Sequence, residues 1–120
     1  RIENKMNIGT PEIHFIHKGI SGWIELKYIS DWSKRSIFCG LSRSQVLWLQ
    51  DYALHGGNCW ILIRVGRESI ALVHGSKANQ LLKSVTIEEF FKAMAWYKTG
   101  KMTKGDWVEL TNLLLNSQSA

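Results

Sequence analysis

Hydrophobic and polar positions along the chain change period several times, and each change marks an element. Glu12 to His17 (EIHFIH) has the short, β-branched and aromatic character of a strand. Lys18-Gly19-Ile20-Ser21 follows as a turn, and residues 22–29 (GWIELKYI) form a second strand, so the pair predicts a hairpin. Residues 1–10 are polar and carry a Gly-Thr-Pro turn signal, and Pro11 holds the residue before it extended. Residues 31–41 (DWSKRSIFCGL) lack periodicity and read as a basic loop. Ser42-Arg43-Ser44-Gln45 is a capping box, and Val46, Leu49 and Ala53 recur at helical spacing until Gly56-Gly57 ends the helix.

The apolar run 59–65 (CWILIRV) predicts a strand covered on both faces, and SIALVHG predicts its neighbour. Thr86-Ile87-Glu88-Glu89 is a second capping box, opening a helix that the pattern carries through FFKAMAWYK to Gly100. A last helix, DWVELTNLLL, starts near Thr103, and the polar tail NSQSA frays. The order is strand, strand, helix, strand, strand, helix, helix, without internal repeats or linkers. It predicts one α/β domain over residues 1–120, a mixed sheet of about four strands with helices on both faces.

Composition narrows the class. In 120 residues, a 45% hydrophobic fraction with 11% aromatics excludes a disordered chain, and a single Pro excludes Pro-rich and collagen-like classes. No apolar run approaches the ~20 residues of a membrane span, and no signal-peptide pattern opens the chain, so the expectation is a cytoplasmic protein without a membrane partner. Cys39 and Cys59 fit no metal spacing and read as reduced thiols, one in a loop and one in a buried strand. The net charge of +5 is suited to a polyanion.

The hairpin carries the candidate chemistry. Glu25 and Lys27 project from the same face of their strand, with Ile24, Leu26 and Tyr28 on the other. An even number of turn residues brings Glu12 level with Glu25 or Lys27 on that face; an odd number sends it to the opposite side. Two carboxylates and a lysine on an apolar, Trp-flanked hairpin are costly unless they pair or bind something. Mg²⁺ fits them, because it takes one or two carboxylates and leaves positions for water and a phosphate oxygen. A lysine beside it holds or activates the attacking water, which is the chemistry of phosphodiester hydrolysis.

Pro11-Glu12 followed by Glu25-Leu26-Lys27 resembles the PD-(D/E)xK nuclease signature. The wider text, Gly9-Thr10-Pro11-Glu12, residues 22–27, Ser42 to Gln45 and Gly56-Gly57, is similar to the VRR-NUC branch and to small phage-encoded nucleases related to Holliday junction resolvases, over roughly residues 1–75. The resemblance implies a restriction-endonuclease-like core, with the host cytoplasm as its location if phage-encoded. It implies that Glu12, Glu25 and the Leu26 carbonyl bind Mg²⁺ or Mn²⁺, that Lys27 is the catalytic lysine, and that Gln45 orients a phosphate or the nucleophile. Glu12 stands where the family usually has Asp, one methylene shorter. The family's upstream helix, which often adds an acid, has no visible counterpart unless Glu3 takes its part.

Lys34, Arg35 and Arg43 follow the second strand and are the candidates for holding a DNA backbone without reading its sequence. Resolution of a branched junction needs two symmetric cuts, so the resemblance implies a homodimer on branched DNA, with FFKAMAW and WVELTNLLL as candidate interfaces. Each residue also has a plainer reading. Glu25 and Lys27 form a solvated pair, Gln45 only caps a helix, His14 only packs, and Lys34, Arg35 and Arg43 line a solvated loop. Of the six Trp, Trp60 and Trp96 fit the core, whereas Trp32 sits in the basic loop, placed to stack on an unpaired base or on a partner. No phosphate loop, dinucleotide fingerprint, HExxH or GxSxG is present. The competing functions are a catalytically weak or inactive DNA-binding module, a flap or single-strand nuclease, and a protein-interaction domain.

Overall fold

The computed structural model describes residues 8–30 and 35–116. Strands β1 (Ile13–His17) and β2 (Ile20–Ile29) are joined by Lys18 and Gly19, both at positive φ, 50° and 82°. That two-residue turn has the twist antiparallel strands need, and its even length sets the register Ile13↔Ile24 to His17↔Ile20. After β2 come β3 (Ser36–Ile37), α1 (Arg43–Leu54), β4 (Cys59–Val65) and β5 (Ser69–His74). A 3₁₀ helix (Gly75–Leu81), β6 (Val85–Thr86), α2 (Ile87–Ala93), β7 (Met94–Thr99) and α3 (Lys104–Leu115) complete the chain.

The main sheet has the order β1-β2-β4-β5-β7, five strands where the sequence predicts about four, and β3 pairs with β6 in a separate ribbon. β2 and β4 run parallel and the other neighbours antiparallel, so the architecture is mixed α/β. Alternation along β4 and β5 divides the core. Cys59, Ile61, Ile63, Val65, Ala71 and Val73 face one side with Val46 and Leu49 of α1 and Phe90 of α2. Trp60 and Leu72 face the other with Trp96 of β7 and Leu110 of α3. Helices therefore cover both faces, and no helix among the described residues is long and apolar enough to cross a membrane.

Three predicted elements are corrected. The turn predicted over Lys18–Ser21 is Lys18 and Gly19 alone, because Ile20 and Ser21 pair with His17 and Ile16 as part of β2. The loop predicted over 31–41 contains β3, held by its pairing to β6, while residues 31–34 lie outside the described part. The helix predicted from Thr86 to Gly100 stops at Ala93, and Met94–Thr99 forms the fifth strand. Phe90, Ala93 and Trp96 are all buried, and their spacing of three looks helical. Trp96 satisfies a period of two equally well, because it pairs with Leu72 and faces the second core. The β-forming run Trp96-Tyr97-Lys98-Thr99 and the open edge of β5 decide the contest, which no local pattern could. Both cysteines are free and buried.

Candidate functional site

Glu12 precedes β1 at a bend in the chain, one residue before the last hairpin pair, Ile13↔Ile24, which adjoins Glu25. The two carboxyl groups come close enough to share a proton. Lys27 projects on the same side, its Nζ 3.8 Å from Glu25 Oε2 and donating to the Gly40 carbonyl at 3.1 Å. Gln45 arrives from the first turn of α1 and donates from Nε2 to Glu25 Oε2 at 3.1 Å. Four of the sequence-predicted residues, Glu12, Glu25, Lys27 and Gln45, thus meet at the end of β2.

Helix capping explains why Gln45 can reach. Its Oε1 accepts from the Ser42 N–H at 2.9 Å, while the Ser42 hydroxyl accepts from the Gln45 N–H at 3.1 Å. With both ends of the amide engaged, Gln45 holds Glu25 in place; the role of orienting a phosphate would cost it a partner. The capping reading of Gln45 holds, and the same side chain also donates to Glu25.

With a two-residue turn, the even-numbered residues of β2 direct their N–H and C=O toward β1, and the Trp23 N–H accordingly turns the other way, to the Asn58 carbonyl at 3.0 Å. The pairing with β1 ends at Ile13↔Ile24 and the chain bends at Glu12, so Leu26 lies beyond the last pair. Its carbonyl is on the β1 side by this alternation, and its side chain points to the face opposite Glu25.

Gly9 fixes the segment before β1 on α1. Its φ is +92°, and an added Cβ would lie 2.3 Å from the Ser44 carbonyl oxygen. Only glycine allows the turn to dock there and hand Glu12 to Glu25. Gly9→Ala is expected to destabilise the protein by about 2 kcal/mol and to displace Glu12. A lowered melting midpoint together with weakened Mn²⁺ binding checks this; an unchanged midpoint would contradict it.

Glu25 is 2% exposed, and its Oε1 is buried without a hydrogen-bond partner. Burial raises its pKa from 4.5 to about 7; Lys27 opposes the shift and the Glu12 charge adds to it. A buried carboxylate oxygen facing a second carboxylate has no donor unless one group is protonated or a cation lies between them. The donor set suits Mg²⁺ or Mn²⁺, two carboxylates and a carbonyl, all oxygen. Among the described residues no three His, Cys, Asp or Glu side chains gather at one point, so further ligands would be backbone and water.

Arg43 opens α1 and is exposed, as is Arg35 before β3; Lys34 lies outside the described residues, as do Glu3 and Trp32. His14 is on the Glu25 face, its ring against Trp23 at 4.7 Å. The Gly40 carbonyl, at a positive φ of 79°, was not signalled by any motif. Compared with models of known protein families and with curated protein sequences, the chain matches none.

Proposed function

We propose that the protein is a metal-dependent endonuclease that hydrolyses DNA phosphodiester bonds, with a preference for branched structures. The observation that carries the proposal is the buried Glu25 carboxyl, its Oε1 without a hydrogen-bond partner, with the Glu12 carboxyl nearby and Lys27 alongside.

When bound, Mg²⁺ or Mn²⁺ would be held by Glu12, Glu25 and the Leu26 carbonyl and would supply charge neutralisation on the phosphate. The rest is the work of this chain's residues. Lys27, anchored on Gly40, is placed to donate to the attacking water and to offset charge on the phosphate. Gln45 keeps the Glu25 oxygens aimed. Arg35 and Arg43, with Lys34 in the same stretch, supply backbone contacts that position DNA without sequence readout. The water oxygen bonds to phosphorus and gives up one proton to solvent, the ester P–O bond breaks, and the departing alkoxide takes one proton from solvent.

Cutting a junction symmetrically requires two copies. Phe90, Ala93, Trp96 and Leu110 are core, which leaves Phe91, Trp107 and Val108 as the exposed apolar part of the two segments suggested for self-association. A second reading, a DNA-binding module without cleavage, is favoured by Glu12, whose extra methylene moves its carboxylate relative to Asp.

The deciding experiment is cleavage of a labelled four-way junction, its linear duplex and a flap with Mg²⁺, Mn²⁺ or EDTA. Paired nicks in the junction that require metal are expected. Metal-dependent cutting of flaps alone would replace the junction preference, and salt-sensitive binding without cutting would establish the second reading. No retention of DNA at low salt would overturn both.

A further inference from the structure

Four rings run in unbroken contact beside the carboxylates. His14 of β1 lies on Trp23 of β2 with centroids 4.7 Å apart; Trp23 meets Trp48 of α1 edge-on at 5.7 Å; Trp48 stacks on Tyr52 at 4.8 Å. Trp23 is one same-face step from Glu25, and His14 is one such step from Glu12, roughly 7 Å along each strand. The row therefore begins where the candidate chemistry ends.

These rings differ from the core indoles. Trp60 and Trp96 are buried and donate their N–H to Asn58 at 2.7 Å and Glu109 at 2.5 Å. Trp23, Trp48 and Tyr52 are half-buried and rest on the rim of the first core, while His14 is exposed. Core packing accounts for the inner sides of Trp48 and Tyr52. It does not account for an exposed imidazole laid on an indole at the outer end of the row.

We infer that His14 and Trp23, braced by Trp48 and Tyr52, form a stacking shelf for an unpaired nucleobase of the strand whose phosphate lies at Glu12, Glu25 and Lys27. The inference rests on the nuclease reading and deepens it by naming the substrate class, DNA with unpaired nucleotides next to the scissile bond. Every base has a π-face, so aromatic shelves accept single strands regardless of sequence. In a duplex those faces are already stacked on their neighbours. The net charge of +5 complements the polyanionic backbone such a strand carries.

The test is fluorescence anisotropy of dye-labelled single-stranded oligothymidine and a matched duplex in EDTA, across a salt series. The native chain is expected to favour the single strand. His14→Ala should weaken single-strand binding by about 5- to 100-fold, the range for loss of a stacked base, and leave duplex binding unchanged. The salt slope should stay the same, because no phosphate contact is removed. His14→Phe should restore binding, since it keeps a ring but can neither ligate a metal nor carry a proton. Trp23→Leu, with its fold checked by thermal melting, should match His14→Ala. Equal losses on both DNAs, no loss, or failure of phenylalanine to rescue would overturn the shelf. Because the readout needs no cleavage, metal-dependent cutting without these effects removes the shelf and leaves the nuclease, whereas these effects without cutting remove the nuclease and leave the shelf.

Discussion

Lys27→Ala is expected to lower metal-dependent DNA cleavage by about 10²- to 10³-fold, the range for loss of one positioned donor that stabilises developing charge. The fold should survive it. The Lys27 side chain is 18% exposed, pairs with Glu25 at 3.8 Å and donates to the Gly40 carbonyl, a hydrogen bond whose loss costs about 1 kcal/mol. DNA binding should persist, because Lys27 contributes one charge to a surface with many. Lys27→Met, which keeps the stem, should be as inactive as the alanine variant. Single-turnover cleavage beside an anisotropy titration makes the distinction, and a rate within a factor of two of native would contradict the assignment.

The second large effect concerns stability. The folded protein holds the Glu25 carboxyl at about 7 against an ordinary 4.5, burial being the first cause. A raised carboxyl means that the folded state binds the proton more tightly than the unfolded one. Stability from this group is complete below the ordinary value and is lost as pH rises through the window from 4.5 to about 7. Each unit of difference corresponds to about 1.4 kcal/mol, so the metal-free protein should forgo about 3 kcal/mol by pH 8. Glu25→Gln keeps the shape and abolishes the charge. It should stabilise the protein at pH 8, raising the melting midpoint on the order of 10 °C, and change it little at pH 5. His74 titrates in the opposite sense: burial lowers its pKa, so its contribution is lost as pH falls. The difference between native and Glu25→Gln chains, each melted at pH 5 and pH 8 in EDTA, isolates Glu25. A variant that melts below the native chain at pH 8 would contradict the account. The same substitution should abolish cleavage, a gain in stability at the cost of function.

Local chemistry made much of this legible in the sequence. Two of the capping boxes, at Ser42 and Thr86, were visible as spacings, and the structure closes both with reciprocal hydrogen bonds. The hairpin was visible from its two strands, but its turn was read as four residues, Lys18 to Ser21, with the register open; the two-residue turn pairs Ile13 with Ile24, next to Glu25, and the Gly9 turn on α1 places Glu12. What stayed hidden depends on partners distant in sequence. The strand Met94–Thr99 exists because β5 offers an open edge, and a helical spacing of apolar residues concealed it. Gly9 could be read as part of a motif, but its reason, a backbone docked against Ser44, is a contact across the chain. The ring row is hidden in the same way, because His14, Trp23 and Trp48 come from three elements and only the fold makes them neighbours.

The central claim is that Glu12 and Glu25 hold a divalent cation. Mn²⁺ titration of the DNA-free protein at pH 8, followed by electron paramagnetic resonance, addresses it most directly. One bound ion per chain is expected, lost in Glu25→Gln and weakened in Glu12→Ala, with Mg²⁺ competing for the same site. An absence of bound Mn²⁺, or binding that Glu25→Gln leaves unchanged, would contradict it.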